Sequence, residues 1–315
     1  MSALGLVGGL LQAVLVVGGA PLLLGMMRQV RARLEGRAGP GIAQPWRDLR
    51  KQLRKETITP RGTSEMFRVA PVLMVAMTLV VAVVVPFVGT ASALPAVADL
   101  IVVVALLAHG SVAIALAGLD TGTAFGGMGA SREVTILALV EPTALVAIFA
   151  LSVRVGSTSL PEIVGSTLDD PARVVSPASL LAAVALAMVI IAETGRLPVD
   201  NPSTHLELTM VHEAMVLEYA GPRLALVELG TAMRLTVYLG LLANLFVPWG
   251  VATEPGVPAL LVGAVAFAVK VGALGAALAC AEVFLAKLRL FRVPELLAGS
   301  FLLAVLAVTA AYVLG

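Results

Sequence analysis

Charge, aromatic side chains and cysteine are all scarce in this chain of 315 residues. Charged residues make up 13%, against about a quarter in soluble domains, which excludes an ordinary soluble enzyme. Aromatic residues make up 4%, too few for the girdles of an outer-membrane barrel, so any spans are expected to be helices. The single cysteine, Cys280, sits in an apolar run, AALAC. A lone thiolate builds neither a disulfide framework nor a cysteine-ligated iron–sulfur cluster, so any redox centre has to come from a partner. Lys and Arg number 21 against 20 Asp and Glu, a net charge of +1, which leaves no electrostatic footprint for nucleic acid.

Apolar sequence is what the chain has in abundance: 59% of residues are hydrophobic, with a mean hydropathy of +1.00. Charge-free stretches run 1–27, 69–98, 100–119, 174–192, 235–253 and 296–315, each near or above the length a helix needs to cross a bilayer. The expected fold is therefore an all-α polytopic membrane protein forming a single membrane domain over 1–315. It has eight spans, at about 3–27, 67–88, 96–119, 134–153, 177–194, 224–248, 257–281 and 296–314. Residues 1–27 lack the basic start of a cleaved signal and read as a retained first helix. The loops on one side hold seventeen Lys and Arg, eleven of them between Arg28 and Arg68, while the opposite loops hold only Arg154 and Arg173. The positive-inside rule then puts both termini outside and the long loops 28–66 and 195–222 in the cytoplasm.

Each long loop carries a helix signal. In QPWRDLRKQLRKE, Trp46, Leu49 and Leu53 share one face, with Arg47, Arg50, Lys51, Arg54 and Lys55 around them and Pro45 at the first turn. This amphipathic helix suits a membrane surface, a docked soluble partner, or both. In 195–222, Thr204 and Glu207 offer a capping box for a helix reaching about Tyr219, with Glu207 and Glu218 on one face. Glu193, Asp200, Glu207, Glu213 and Glu218 crowd this region with few cations, an arrangement expected to raise carboxylate pKa values.

Two motifs fail on inspection. His212-Glu213 begins H-E-x-x-H, but Val216 stands where the second zinc ligand belongs, and His205 and His212 lack a third ligand. GTAFGGMGAS at 122–131 lacks the lysine and preceding strand of a phosphate-binding loop and reads as a flexible, close-packed loop. Ionisable residues at membrane depth are stronger signals. Glu141 lies about 10 Å and Arg234 about 15 Å from the cytoplasmic ends of their spans at 1.5 Å per residue, and Lys270 lies past the middle of its own. With Glu228 they are expected to form a buried polar network, and Pro142 beside Glu141 frees a carbonyl. Asp120, Glu193 and Glu282 mark cytoplasmic helix ends, where snorkelling or capping accounts for them as well as function does.

Four stretches together resemble one family: RARLEGRAGPGIAQPWRDLRKQLRKE, GLDTGTAFGGMGASRE, ETGRLPVDNPSTHLELTMVHEAMVLEYAGP and AEVFLAKLRLFRVPELL. They are similar to the membrane-anchor subunit of the complex I subunit 1 family, in the formate hydrogenlyase subunit 4-like form of group 4 energy-converting nickel–iron hydrogenases. Glu193, Arg196, Pro198, Asp200, Glu218, Tyr219 and Gly221 match both the hydrogenase and the respiratory branch. Asn201-Pro202, His205 and His212-Glu213 favour the hydrogenase branch, and Val199 replaces the usual aromatic. The resemblance implies an eight-helix anchor in a prokaryotic cytoplasmic (inner) membrane, joining a hydrophilic electron-transfer arm to a proton- or sodium-pumping membrane arm.

The implied partners are hydrogenase-like large and small subunits, an iron–sulfur subunit and antiporter-like membrane subunits, which would hold the iron–sulfur clusters and the nickel–iron site. This chain itself is expected to hold no cofactor and no catalytic residue. Residues and resemblance jointly assign ion coupling to Glu141, Glu193, Asp200, Glu207, Glu213, Glu218, Glu228, Arg234 and Lys270. The loop and arm interface would comprise Asp120, Arg132, Glu133, Arg196, His205, His212, Arg47, Arg50, Lys51 and Arg54. Two other functions stay open at this point, a quinone-site subunit of a respiratory complex I and a free-standing secondary ion transporter.

Overall fold

The computed structural model describes residues 3–92, 94–200, 210–254, 256–289 and 292–314. Over these residues the chain is built of α-helices with no β-sheet: α1 (Ala3–Leu34), α2 (Gln44–Leu53), α3 (Glu65–Val84), α4 (Leu100–Asp120), α5 (Ala124–Val155), α6 (Leu160–Asp169), α7 (Pro177–Glu193), α8 (His212–Val216), α9 (Gly221–Phe246), α10 (Val257–Phe284) and α11 (Val293–Leu314). Among the described residues, seven helices are long and apolar enough to cross a membrane: α1, α3, α4, α5, α9, α10 and α11. The eighth expected span, 177–194, is α7, an apolar helix of 17 residues, about 26 Å long. The chain is a multi-pass helical membrane protein.

The spans pack through small residues, which let helix backbones approach closely in a solvent that offers no hydrophobic drive. Ala20, Ala82, Ala147, Ala182, Ala185, Ala304 and Ala307 are all fully buried in the main core. Helix α11 packs on α5 and α7, α3 on α4 and α9, and α1 on α9 and α10.

Two expectations are corrected here. The glycine-rich stretch 122–131 is not a flexible loop: only Gly122 is left-handed, and α5 begins at Ala124, with the Thr123 hydroxyl capping Gly126 N at 3.1 Å. Two of its glycines, Gly126 and Gly129, serve contact. A Cβ on Gly129 would lie 2.8 Å from Ala214 Cβ and 2.9 Å from the Val211 carbonyl, so the bare face of α5 is what admits the following acidic segment.

That segment is not one helix to Tyr219. Residues 201–209, including Thr204, His205 and Glu207, lie outside the described residues, and from Met210 onward only α8 is helical. Met210, Val211, Ala214, Met215 and Val216 are all buried, so this stretch folds under α5 instead of presenting an amphipathic face, and packing overrides propensity. Tyr219 finishes the turn, stacking on Phe67 with centroids 4.2 Å apart and donating to the Phe67 carbonyl at 3.1 Å.

On the other side of the bundle α3 stops at Val84, short of the expected 88, and irregular backbone follows. Such backbone is tolerated at membrane depth only where protein satisfies it. Gln12 on α1 accepts from Phe87 N (3.0 Å) and Val88 N (2.8 Å) and donates to the Ala82 and Val83 carbonyls. Asn244 on α9 donates to the Pro86 and Phe87 carbonyls at 2.9 and 2.8 Å.

Candidate functional site

The end of α7 and the middle of α9 meet in a buried ion pair. Arg234 Nη2 lies 3.1 Å from Glu193 Oε1, and Tyr238, one turn further along α9, donates to the same oxygen at 3.0 Å. The side chains of Arg234 and Glu193 are 6% and 2% exposed. Glu193 Oε2 and Arg234 Nε have no hydrogen-bond partner among the described residues, so the pair is complete in charge and incomplete in hydrogen bonding. Glu133 on α5 is also buried, within reach of the charges of Glu193, Arg234 and Asp200.

Immediately beside this pair, on the side of loop 28–66, lies a cavity of about 620 Å³. Its walls are α1 through Arg28 and Arg31, α2 through Asp48 and Lys51, the turn Thr194-Gly195-Arg196, α8 through His212 and Glu213, and α9 through Glu228 and Thr231. Helix α2 forms with Pro45 at its first turn, and its Leu49 is buried while Arg47, Arg50 and Arg54 face outward. Trp46 donates to the Gly18 carbonyl at 3.1 Å, which ties α2 to α1.

A clamp of ion pairs holds the segment after α7. Glu282, at the end of α10 with its side chain 1% exposed, receives Arg31 and also Arg196 Nη1 at 3.4 Å. Asp200 receives Lys287 Nζ at 3.1 Å and Val211 N at 3.2 Å, and Leu288 N donates to the Pro198 carbonyl at 2.8 Å. Burial lowers the Arg196 pKa, opposed by Glu282. His212 is pushed down to about 4, first by burial and then by Arg234, with Asp200 opposing. Its Nε2 lies 3.2 Å from the Thr231 hydroxyl, which itself donates to the Val227 carbonyl, so the ring is the donor.

The expected single network of Glu141, Glu228, Arg234 and Lys270 is corrected into four places. Arg234 pairs with Glu193, which is no snorkelling helix end. Glu228 lines the cavity. Lys270 bonds Asn244 Oδ1 and the Val247 carbonyl near the far end of α9. Glu141 is partly exposed on α5, where the His109 ring of α4 acts on its charge. Depth alone groups the four, and depth does not tell which face of a helix a residue takes.

Of the five crowded carboxylates, Glu193 and Asp200 each have a cation, Glu218 accepts from the Thr123 hydroxyl at 2.8 Å, Glu213 lines the cavity, and Glu207 lies outside the described residues. Asp120 accepts from Ser64 N at 2.7 Å, and Arg132 donates to the Met210 carbonyl at 3.2 Å. Tyr238, Lys287, Gln12 and Asn244 are positions that motif and depth did not single out. A tyrosine four residues after a buried arginine, and a lone Gln in an apolar span, were the available signals.

Fold and site together define a polytopic helical membrane protein with a charged chamber on one side and a buried ion pair beneath it. The chain belongs to the NADH dehydrogenase family, whose pattern matches residues 8–313. It is 35% identical over 302 residues to hydrogenase-4 component C of Escherichia coli (strain K12), covering 95% of this chain and 93% of that protein. It is 34% identical over 298 residues to formate hydrogenlyase subunit 4 of the same strain, covering 95% and 96%. An NADH-quinone oxidoreductase subunit of Thermomicrobium roseum is 33% identical over 260 residues, covering 71% of this chain and 74% of that one. A chain in the structure of the membrane-bound sulfane sulfur reductase, an archaeal respiratory membrane complex, superposes with a TM-score of 0.82 at 25% identity, covering 96% of this chain and 99% of that one.

Proposed function

We propose that this chain is the membrane-anchor and coupling subunit of a multisubunit complex, joining a hydrogenase-like electron-transfer arm to proton or sodium translocation in the membrane arm. The observation that carries the reading is the buried Glu193–Arg234 pair directly beneath a charged chamber built from α2, α8 and the turn after α7. In this reading α7 completes eight spans, both termini lie outside, and loops 28–66 and 195–222 face the cytoplasm of a prokaryotic cell, where the arm docks on Arg47, Arg50, Lys51 and Arg54. The arm's large, small and iron–sulfur subunits hold the clusters and the nickel–iron site, and antiporter-like subunits continue the membrane arm.

A change of charge in the arm acts first on the chamber. There Glu213, Glu228 and His212 line the wall, and Arg196 and Asp200 hold the turn in register through Glu282 and Lys287. A shift of that turn moves Glu193 against Arg234, and Glu193 Oε2 and Arg234 Nε, without a hydrogen-bond partner among the described residues, leave the pair a direction in which to rearrange. Glu133, and beyond it Glu141, then receive the altered field.

The size of the chamber, within the range of small-molecule sites, and the similarity to a quinone oxidoreductase subunit support a second reading, a quinone-site subunit. Mass spectrometry of the mildly solubilised complex decides between them. Copurifying hydrogenase-like large and iron–sulfur small subunits are expected. A copurifying quinone with quinone-dependent activity favours the second reading, and a chain that is stable and transport-competent alone overturns both.

A further inference from the structure

Lys270 is the fourteenth of the 28 residues of α10, about 20 Å from either end at 1.5 Å per residue. Its ammonium donates to two neutral oxygens, Asn244 Oδ1 and the Val247 carbonyl, and no carboxylate pairs with it among the described residues. It also lines a groove of about 540 Å³ on the outer side of α10, whose other walls are Leu261, Val262, Val265, Ala266 and Val269. These are not core residues: Leu261, Val262, Val265 and Val269 are 57%, 62%, 64% and 65% exposed. The opposite side of α10 is committed to the fold, with Gly263 against the Val88 carbonyl and Gly275 against Leu23.

Lys270 lines the outer groove while its ammonium rests on neutral oxygens of the neighbouring chain segment, and a charge at this depth ordinarily pairs with an opposite charge. Two neutral acceptors hold the ammonium in place without neutralising it. An apolar groove with one cation at its floor is complementary to a helix that is apolar over two turns and carries one acid.

We infer that the outer face of α10 seats a transmembrane helix of another subunit of the same complex, which brings an aspartate or glutamate to Lys270. The inference rests on the reading of this chain as one member of a multisubunit complex. The ammonium fixes the register of the incoming helix along α10, and the groove from Leu261 to Val269 fixes its face.

The test places a photo-cross-linking amino acid at Val265 or Val269, and separately at Arg50 on α2, in the intact solubilised complex, with the adducts mapped by mass spectrometry. Position 265 or 269 is expected to label a transmembrane segment of a different subunit within one helical turn of an Asp or Glu. Lys270→Met should lower that yield about tenfold and Lys270→Arg should retain it. Adducts with lipid alone, with a second copy of this chain, or with a helix lacking an acid in that turn overturn the inference. Labelling of a soluble subunit from Arg50 shows that the wider reading stands in that event, and its absence shows that both fail.

Discussion

Lowering the pH should loosen the segment around α8, and the size of the effect follows from one side chain. His212 titrates near 6.5 when solvated and is held at about 4 in the folded chamber. Between these values the opened segment binds a proton that the closed one excludes, so closure is fully favoured above 6.5 and weakens as the pH falls toward 4. At about 1.36 kcal/mol per pH unit, moving from 6.5 to 5 costs closure about 2 kcal/mol. Part of the ring faces the cavity, where water screens it, which trims this to about 1–2 kcal/mol. The opening equilibrium should therefore rise roughly 5- to 30-fold.

Hydrogen–deuterium exchange of residues 210–220, normalised to unstructured-peptide rates at each pH, measures it directly. Protection should be flat from pH 8 to 7 and fall below 6.5. In His212→Gln that fall should vanish while the bond to Thr231 is kept. A parent protein that is flat down to pH 5, or a variant with the same slope, would refute the assignment of the proton to His212.

Four further perturbations follow from the same geometry. Glu193→Gln leaves Arg234 buried and unpaired and should destabilise the subunit by about 3–5 kcal/mol, read as a lowered inactivation temperature of the solubilised complex. The double change with Arg234→Met should recover most of the loss, while Glu141→Gln, on a partly exposed residue, should leave stability unchanged and reduce ions moved per electron. Replacing Arg50 and Arg54 on the outward face of α2, together with Lys51 at the rim of the cavity, by Glu reverses the charge of this helix and should detach the soluble arm while the subunit stays inserted, with copurification as the readout. Gly25→Ala puts a Cβ 1.8 Å from the Ile42 carbonyl, so α2 should be displaced from α1 and limited proteolysis should cut within 36–44.

Hydropathy carries span positions well because a bilayer demands long apolar runs whatever they pack against: α4 and α11 fall where the charge-free stretches put them, and α10 starts at the expected Val257. Helix α2 is equally legible, since one buried leucine among surface arginines is a local pattern. Contact is what the sequence hides. GTAFGGMGAS has the composition of a loop, yet all but its first two residues lie in a helix, where Ala214 and Val211 need the room that Gly129 leaves. Glu193 reads as a helix end, and only the arrival of Arg234 from 41 residues away makes it the centre of the site. Lys270 and Arg234 are alike in depth, but one cation meets a buried carboxylate and the other rests on two neutral oxygens at the edge of an outer groove.

The irregular turn after α3 has a consequence for how the protein is made. The amides of Phe87 and Val88 find their acceptor in Gln12, 75 and 76 residues earlier, which is already inserted when α3 emerges. The carbonyls of Pro86 and Phe87 wait for Asn244, 158 and 157 residues later. Until α9 enters the membrane, the Pro86 and Phe87 carbonyls lack the donor that Asn244 brings, so the first half of the subunit is an unfinished structure that the second half has to close. A chain interrupted before α9 should accordingly be a substrate for membrane proteases rather than a stable half-protein, and assembly quality control can read completion of the subunit at this one turn.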